Sequence, residues 1–115
     1  MTTIGLSIPV LPGKADQLRR LGRTMLGERR AEFAAAQRSG SISREHWYLE
    51  ETEQGQRMVI YIEAPDIEFV FRNFAESQTD WDLWEKGQLR EITGMDFGQP
   101  DSGPLPELVM QWEGA

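Results

Sequence analysis

Apolar and polar positions alternate most clearly over residues 44–63, where two strand-like runs sit back to back. In the first, Trp47 and Leu49 alternate with His46, Tyr48 and Glu50; in the second, Met58, Ile60 and Ile62 alternate with Val59, Tyr61 and Glu63. Period-two alternation of β-branched and aromatic residues is the sequence form of a pleated strand. The polar segment 52–56 between them contains Gly55, which tolerates the positive φ of a tight reversal, so the pair reads as a hairpin. The second run is apolar on both faces and needs cover on each side.

Other patterns place the remaining elements around this hairpin. Residues 3–10 alternate Ile4, Leu6 and Ile8 with Thr3, Gly5 and Ser7, a first strand halted by Pro9 and Pro12. A helix is predicted over residues 15–38, with Leu18, Leu21, Met25, Leu26, Arg29 and Phe33 on one stripe. Gly22 and Gly27 each weaken it by about 1 kcal/mol relative to alanine, and Gly27 is consistent with either close packing or a kink. Asp66 is a good N-cap for a second helix carrying Ile67, Val70, Phe71 and Phe74. Ser77-Gln78-Thr79 interrupts it, and Thr79, with Asp82 three residues on, opens a further helix over residues 80–92 that stops at Gly94. Residues 96–106 read as loop, and residues 107–113 alternate Leu108, Met110 and Trp112 with Val109 and Gln111, a last strand.

The predicted order is β-α-β-β-α-β in one domain spanning residues 1–115. Two right-handed βαβ halves joined through the hairpin give a ferredoxin-like α+β fold: a four-stranded antiparallel sheet, strand order 4-1-3-2, with all helices on one face. The other face is left open. Val59, Tyr61 and Val109 lie there in one register, Ile4, Met58 and Met110 in the other. Apolar surface of this kind calls for a partner or a ligand, most economically a second copy closing face to face.

Composition narrows the function classes. Nineteen acidic residues against 12 basic ones give a net charge of −7, which argues against a nucleic-acid or anionic-membrane partner. Cysteine is absent, excluding disulfides, thiolate metal sites and cysteine nucleophiles. No apolar run reaches the length of a membrane span and the first residues lack a basic start, so a cytoplasmic protein is expected. Phosphate-binding glycine loops and nucleophile elbows are also missing.

The element order and the entry Pro12-Gly13-Lys14-Ala15-Asp16 resemble the dimeric α+β barrel superfamily, which includes antibiotic-biosynthesis-monooxygenase-like and haem-degrading proteins. Arg44-Glu45-His46-Trp47-Tyr48-Leu49, Asp80-Trp81-Asp82-Leu83-Trp84 and Gly103-Pro104-Leu105-Pro106-Glu107-Leu108 resemble a bacterial family of unknown function within or near that group. The resemblance implies a homodimer with a cavity in each half-barrel. The haem-degrading relatives use a helix histidine, which residues 66–76 lack, so no cofactor is expected.

His46, the only histidine, shares a strand face with Arg44, Tyr48 and Glu50. One reading makes it a proton carrier in a polar cavity, with Arg44, Tyr48, Tyr61 and Trp81 as substrate-binding residues. The other makes the row a solvated edge strand protected by its charges. A metal site is disfavoured, because His46 and Glu50 are about 13 Å apart at ~3.3 Å per residue and Glu45 and Glu51 point to the opposite face. Trp81, Trp84 and Phe97 are either a planar-ligand platform or core. Two functions follow: a small-molecule site in each protomer, monooxygenase-like or isomerase-like, or a non-catalytic homodimeric or partner-binding module.

Overall fold

The computed structural model describes residues 2–99 and 104–114. The described residues form an α+β fold with three strands and four helices: β1 (Thr2–Pro9), α1 (Ala15–Leu26), α2 (Arg30–Ser39), β2 (Arg44–Thr52), β3 (Gly55–Ala64), α3 (Ile67–Glu76) and α4 (Asp80–Thr93). The sheet is antiparallel in the order β1-β3-β2, so the second hairpin strand is central, as its apolar character on both faces requires. Thr52 pairs with Gly55 across the turn, and Gly55 takes φ +117°, a value that strains any residue bearing a Cβ.

Register sorts the sheet residues into two faces. Ile8–Met58–Leu49, Leu6–Ile60–Trp47 and Ile4–Ile62–Glu45 form cross-strand rows facing the helices. Helix residues Leu18, Leu21, Met25, Ile67, Val70, Trp81, Leu89 and Ile92 complete a single core. Leu21, Met58 and Ile92 are almost completely buried, each contributing about 1.5–3 kcal/mol of transfer free energy. On the other face Gly5–Tyr61–His46, Ser7–Val59–Tyr48 and Thr3–Glu63–Arg44 form a mixed surface, more polar than the contiguous apolar face expected from the sequence.

The helix stops follow local chemistry. Asp66 accepts a hydrogen bond from the Phe69 amide (3.1 Å) and Thr79 Oγ1 accepts one from the Asp82 amide (3.2 Å), as their positions predicted. Asp82 departs from a capping box: its Oδ2 accepts from Ser77 Oγ at 2.6 Å. Lys86 Nζ donates to the carbonyls of Ala75 (3.1 Å) and Ser77 (2.8 Å), satisfying the end of α3 and placing a cation at its negative pole.

Two expectations need correction. The single helix over residues 15–38 is broken into α1 and α2 at Gly27, where a Cβ would stand 2.8 Å from the Arg23 carbonyl oxygen. Gly27 therefore marks the kink, because only a residue without a side chain fits against the preceding turn. The fourth strand over residues 107–113 does not form: residues 104–114 carry no regular structure and are exposed throughout. Alternation there is genuine, but a strand also needs a hydrogen-bonded neighbour, and among the described residues β1 pairs only with β3. Gly103, which begins one of the resemblance motifs, lies outside the described residues.

Candidate functional site

The structure brings together four of the five predicted site residues and separates the fifth. On the open face, the His46 ring lies 6.3 Å from Tyr48 and 6.0 Å from Tyr61, centroid to centroid. Tyr61 Oη donates to Glu63 Oε2 at 2.8 Å, and Arg44 pairs with the same oxygen at 3.2 Å. That hydrogen bond to Glu63 raises the pKa of the Tyr61 phenol. The row is a charged and aromatic ladder on the sheet surface, with His46 and Tyr48 exposed. Trp81 lies on the far side of the sheet, buried in the helical layer, so the five residues do not line one cavity.

A better-formed site lies between the helices and the sheet. Trp47, Ile60, Ile62, Val70, Phe71, Phe74, Leu89 and Phe97 supply most of its wall, and Gln37, Glu45, Asn73, Asp82 and Glu85 its polar groups. The space leaves about 70 Å³ for the centres of water-sized bodies and opens partly to solvent. Apolar walls with a few converging polar groups are the usual make-up of a small-molecule site.

Local periodicity positions both glutamates. In β2 alternation puts Glu45 on the same face as Trp47 and Leu49, and α2 brings Gln37 above it. Gln37 Nε2 donates to Glu45 Oε1 at 2.8 Å and Trp47 Nε1 donates to Oε2 at 2.6 Å. In α4, Trp81, Glu85 and Leu89 fall at successive i+4 positions on the buried stripe, and Trp81 Nε1 donates to Glu85 Oε1 at 3.1 Å. Each carboxyl is thus oriented by an indole N–H.

Burial chiefly, then repulsion from Glu45 and from Asp82, pushes the Glu85 carboxyl up to about 8, against the opposing pull of the Trp81 donor. Glu85 is therefore mostly neutral at pH 7, an acid beside the Glu45 carboxyl. Burial also raises Glu45, opposed by its donors Gln37 and Trp47. A raised acid next to a second carboxyl is the arrangement proton transfer uses.

Of the aromatic cluster, Phe97 belongs to the cavity wall, while Trp81 and Trp84 pack against Arg29. Arg29, in the α1–α2 break, holds its guanidinium 4.7 Å from the Trp81 ring centre and 4.5 Å from that of Trp84. Its other side pairs with Glu32 through two hydrogen bonds of 2.9 and 2.8 Å. Trp81 is not among the residues of the cavity wall and meets that wall through its hydrogen bond to Glu85.

Sequence reasoning passed over Glu45 and Glu85. The signal was present: each is a charged residue at an inward-facing position, Glu45 in step with Trp47 and Leu49, Glu85 in step with Trp81 and Leu89. Among the described residues, no group of three or more His, Cys, Asp or Glu side chains could hold a metal ion, and no helix is long and apolar enough to cross a membrane.

Fold and site together define a class: an α+β protein whose helices and antiparallel sheet enclose an apolar cavity holding buried carboxyl groups. Comparisons with protein families, curated proteins and solved structures find no match to this chain.

Proposed function

We propose that the protein binds a small organic molecule in the cavity between α2, α3, α4 and the sheet, with Glu45 and Glu85 as its polar anchors. The carrying observation is the pairing of an apolar wall with two carboxyls placed inside it and oriented by indole donors. Buried ionisable groups cost stability unless a partner compensates them, and a ligand is such a partner. Native mass spectrometry of freshly purified protein tests this. A retained small mass that is lost on Phe71→Trp, which fills the cavity, supports the reading; binding unaffected by that change removes it.

A second reading concerns assembly and rests on the C-terminal segment. Leu108, Val109, Met110 and Trp112 are exposed at 58%, 86%, 76% and 80%. Residues 106–110 border a shallow concavity with Thr3, Gly5 and Tyr61 of the open face. Such exposed apolar surface favours burial against a second copy. In a ferredoxin-like barrel dimer Arg44, His46, Tyr48 and Tyr61 would face the partner, and the module needs no substrate. Light scattering at micromolar concentration decides it: a dimer supports the reading, and a monomer removes it.

A further inference from the structure

We infer that the ligand of this cavity is a compact organic cation, a primary or secondary amine carrying a short apolar group. The inference rests on the cavity being the binding site and goes on to name what it takes.

The charges around the cavity have one sign. Among the described residues its ionisable lining groups are Glu45, Asp82 and Glu85; the remaining polar side chains are amides, and no Lys, Arg or His lines it. Lys86, whose ammonium lies 5.6 Å from the Phe74 ring centre, and Arg29 both have partners of their own. Lys86 is tied to the carbonyls of Ala75 and Ser77, and Arg29 is held between two indoles and Glu32. Three acidic side chains share one wall, so ionising Glu85 is opposed by its neighbours, and a bound ammonium ion offsets that opposition.

A free acceptor points the same way. Glu85 is only 9% exposed, and the one hydrogen bond to its carboxyl among the described residues comes from Trp81 to Oε1. Among the described residues every fully enclosed side-chain nitrogen or oxygen has a partner, so the second Glu85 oxygen is not fully enclosed, and Glu85 lines the cavity. An N⁺–H donor meets that oxygen in a charge-assisted hydrogen bond. A carboxylate ligand would be repelled by the ionised carboxyls of the wall, whose donors are neutral amides and carry no charge to offset it. The ammonium ion requires Glu85 in its ionised form, so binding releases the Glu85 proton to solvent. Size sets the limit on the apolar part. The room of about 70 Å³ is roughly half of the ~150 Å³ that accommodates benzene in a dry cavity, which suits a short aliphatic chain.

The test is a titration at pH 8 with n-propylamine, n-propanol and propionate, three probes of one length with a positive, neutral and negative head. The readout is the indole N–H resonances of Trp47 and Trp81, which are bonded to the two glutamates, with exposed Trp112 as control. We expect propylammonium to shift both indoles at least tenfold more tightly than propanol, propionate to do nothing, and Glu85→Gln to weaken the amine at least tenfold. The variant's folding is checked by its unchanged backbone spectrum, and Glu45→Gln serves as a second variant. Equal or tighter binding of propanol or propionate overturns the cation while leaving the binding site standing. No shift from any of the three overturns both.

Discussion

Glu85→Gln should abolish most of a pH dependence in the protein's stability. The carboxyl ordinarily titrates near 4.5, and burial with its acidic neighbours pushes it up to about 8 in the folded chain. Below the lower value both folded and unfolded chains are protonated here and nothing is lost. Between the two, the unfolded chain is ionised and the folded chain is not, so stability falls by about 1.4 kcal/mol per pH unit. Above the upper value the loss is complete, on the order of several kcal/mol, a large share of the roughly 5–15 kcal/mol that holds a small domain folded. Glutamine has the same shape, keeps an oxygen for the Trp81 N–H, and cannot ionise. Urea unfolding followed by tryptophan fluorescence at pH 5, 6, 7 and 8 reads the difference between the two proteins. The variant should gain on the native protein steadily from pH 5 to pH 8 and be clearly the more stable at pH 8. Glu45, which also titrates high, is present in both and largely cancels. Glu45→Gln removes a carboxylate that repels the ionised Glu85, so it should narrow the pH range of the loss and leave the part due to burial. A difference independent of pH, or one that grows toward acid, would show that Glu85 is not held neutral by its surroundings.

Two further predictions concern the frame around the cavity. Gly27→Ala forces a Cβ against the Arg23 carbonyl and should destabilise by about 1–3 kcal/mol, whereas Gly22→Ala, with open space around its new Cβ, should stabilise α1 by about 1 kcal/mol. Thermal melts of the two variants separate the kink from an ordinary helical glycine; equal effects would refute the assignment. Lys86→Met leaves the buried carbonyls at the end of α3 without their donor and should cost about 1–3 kcal/mol, seen as a lower urea midpoint with an unchanged slope. An undiminished midpoint would mean that water replaces the lysine without loss.

Much of the fold was legible because it is written locally. Alternation in β1, β2 and β3 depends on residues two apart, and the caps Asp66 and Thr79 act within three residues, so both could be read without knowing what lies across the core. Even the central position of β3 followed from its two apolar faces. The inward charges were legible in principle as well, since Glu45 keeps step with Trp47 and Glu85 with Leu89.

Tertiary structure decided the rest, through contacts between residues far apart in the chain. The break at Gly27 depends on how closely its backbone folds onto Arg23, and its consequence, an arginine placed between Trp81 and Trp84, joins segments some fifty residues apart. Residues 107–113 alternate as strands do and yet form none, because periodicity specifies which face a side chain takes and a strand requires a neighbour's unpaired backbone. Trp81 and His46 were grouped by residue type, and the sheet between them placed one in the core and the other at the surface. The pairing of Glu45 with Glu85 belongs to the same class. Alone, each is a glutamate of ordinary acidity on its own element; folding removes water from both and sets them near one another, and their chemistry arises from that juxtaposition.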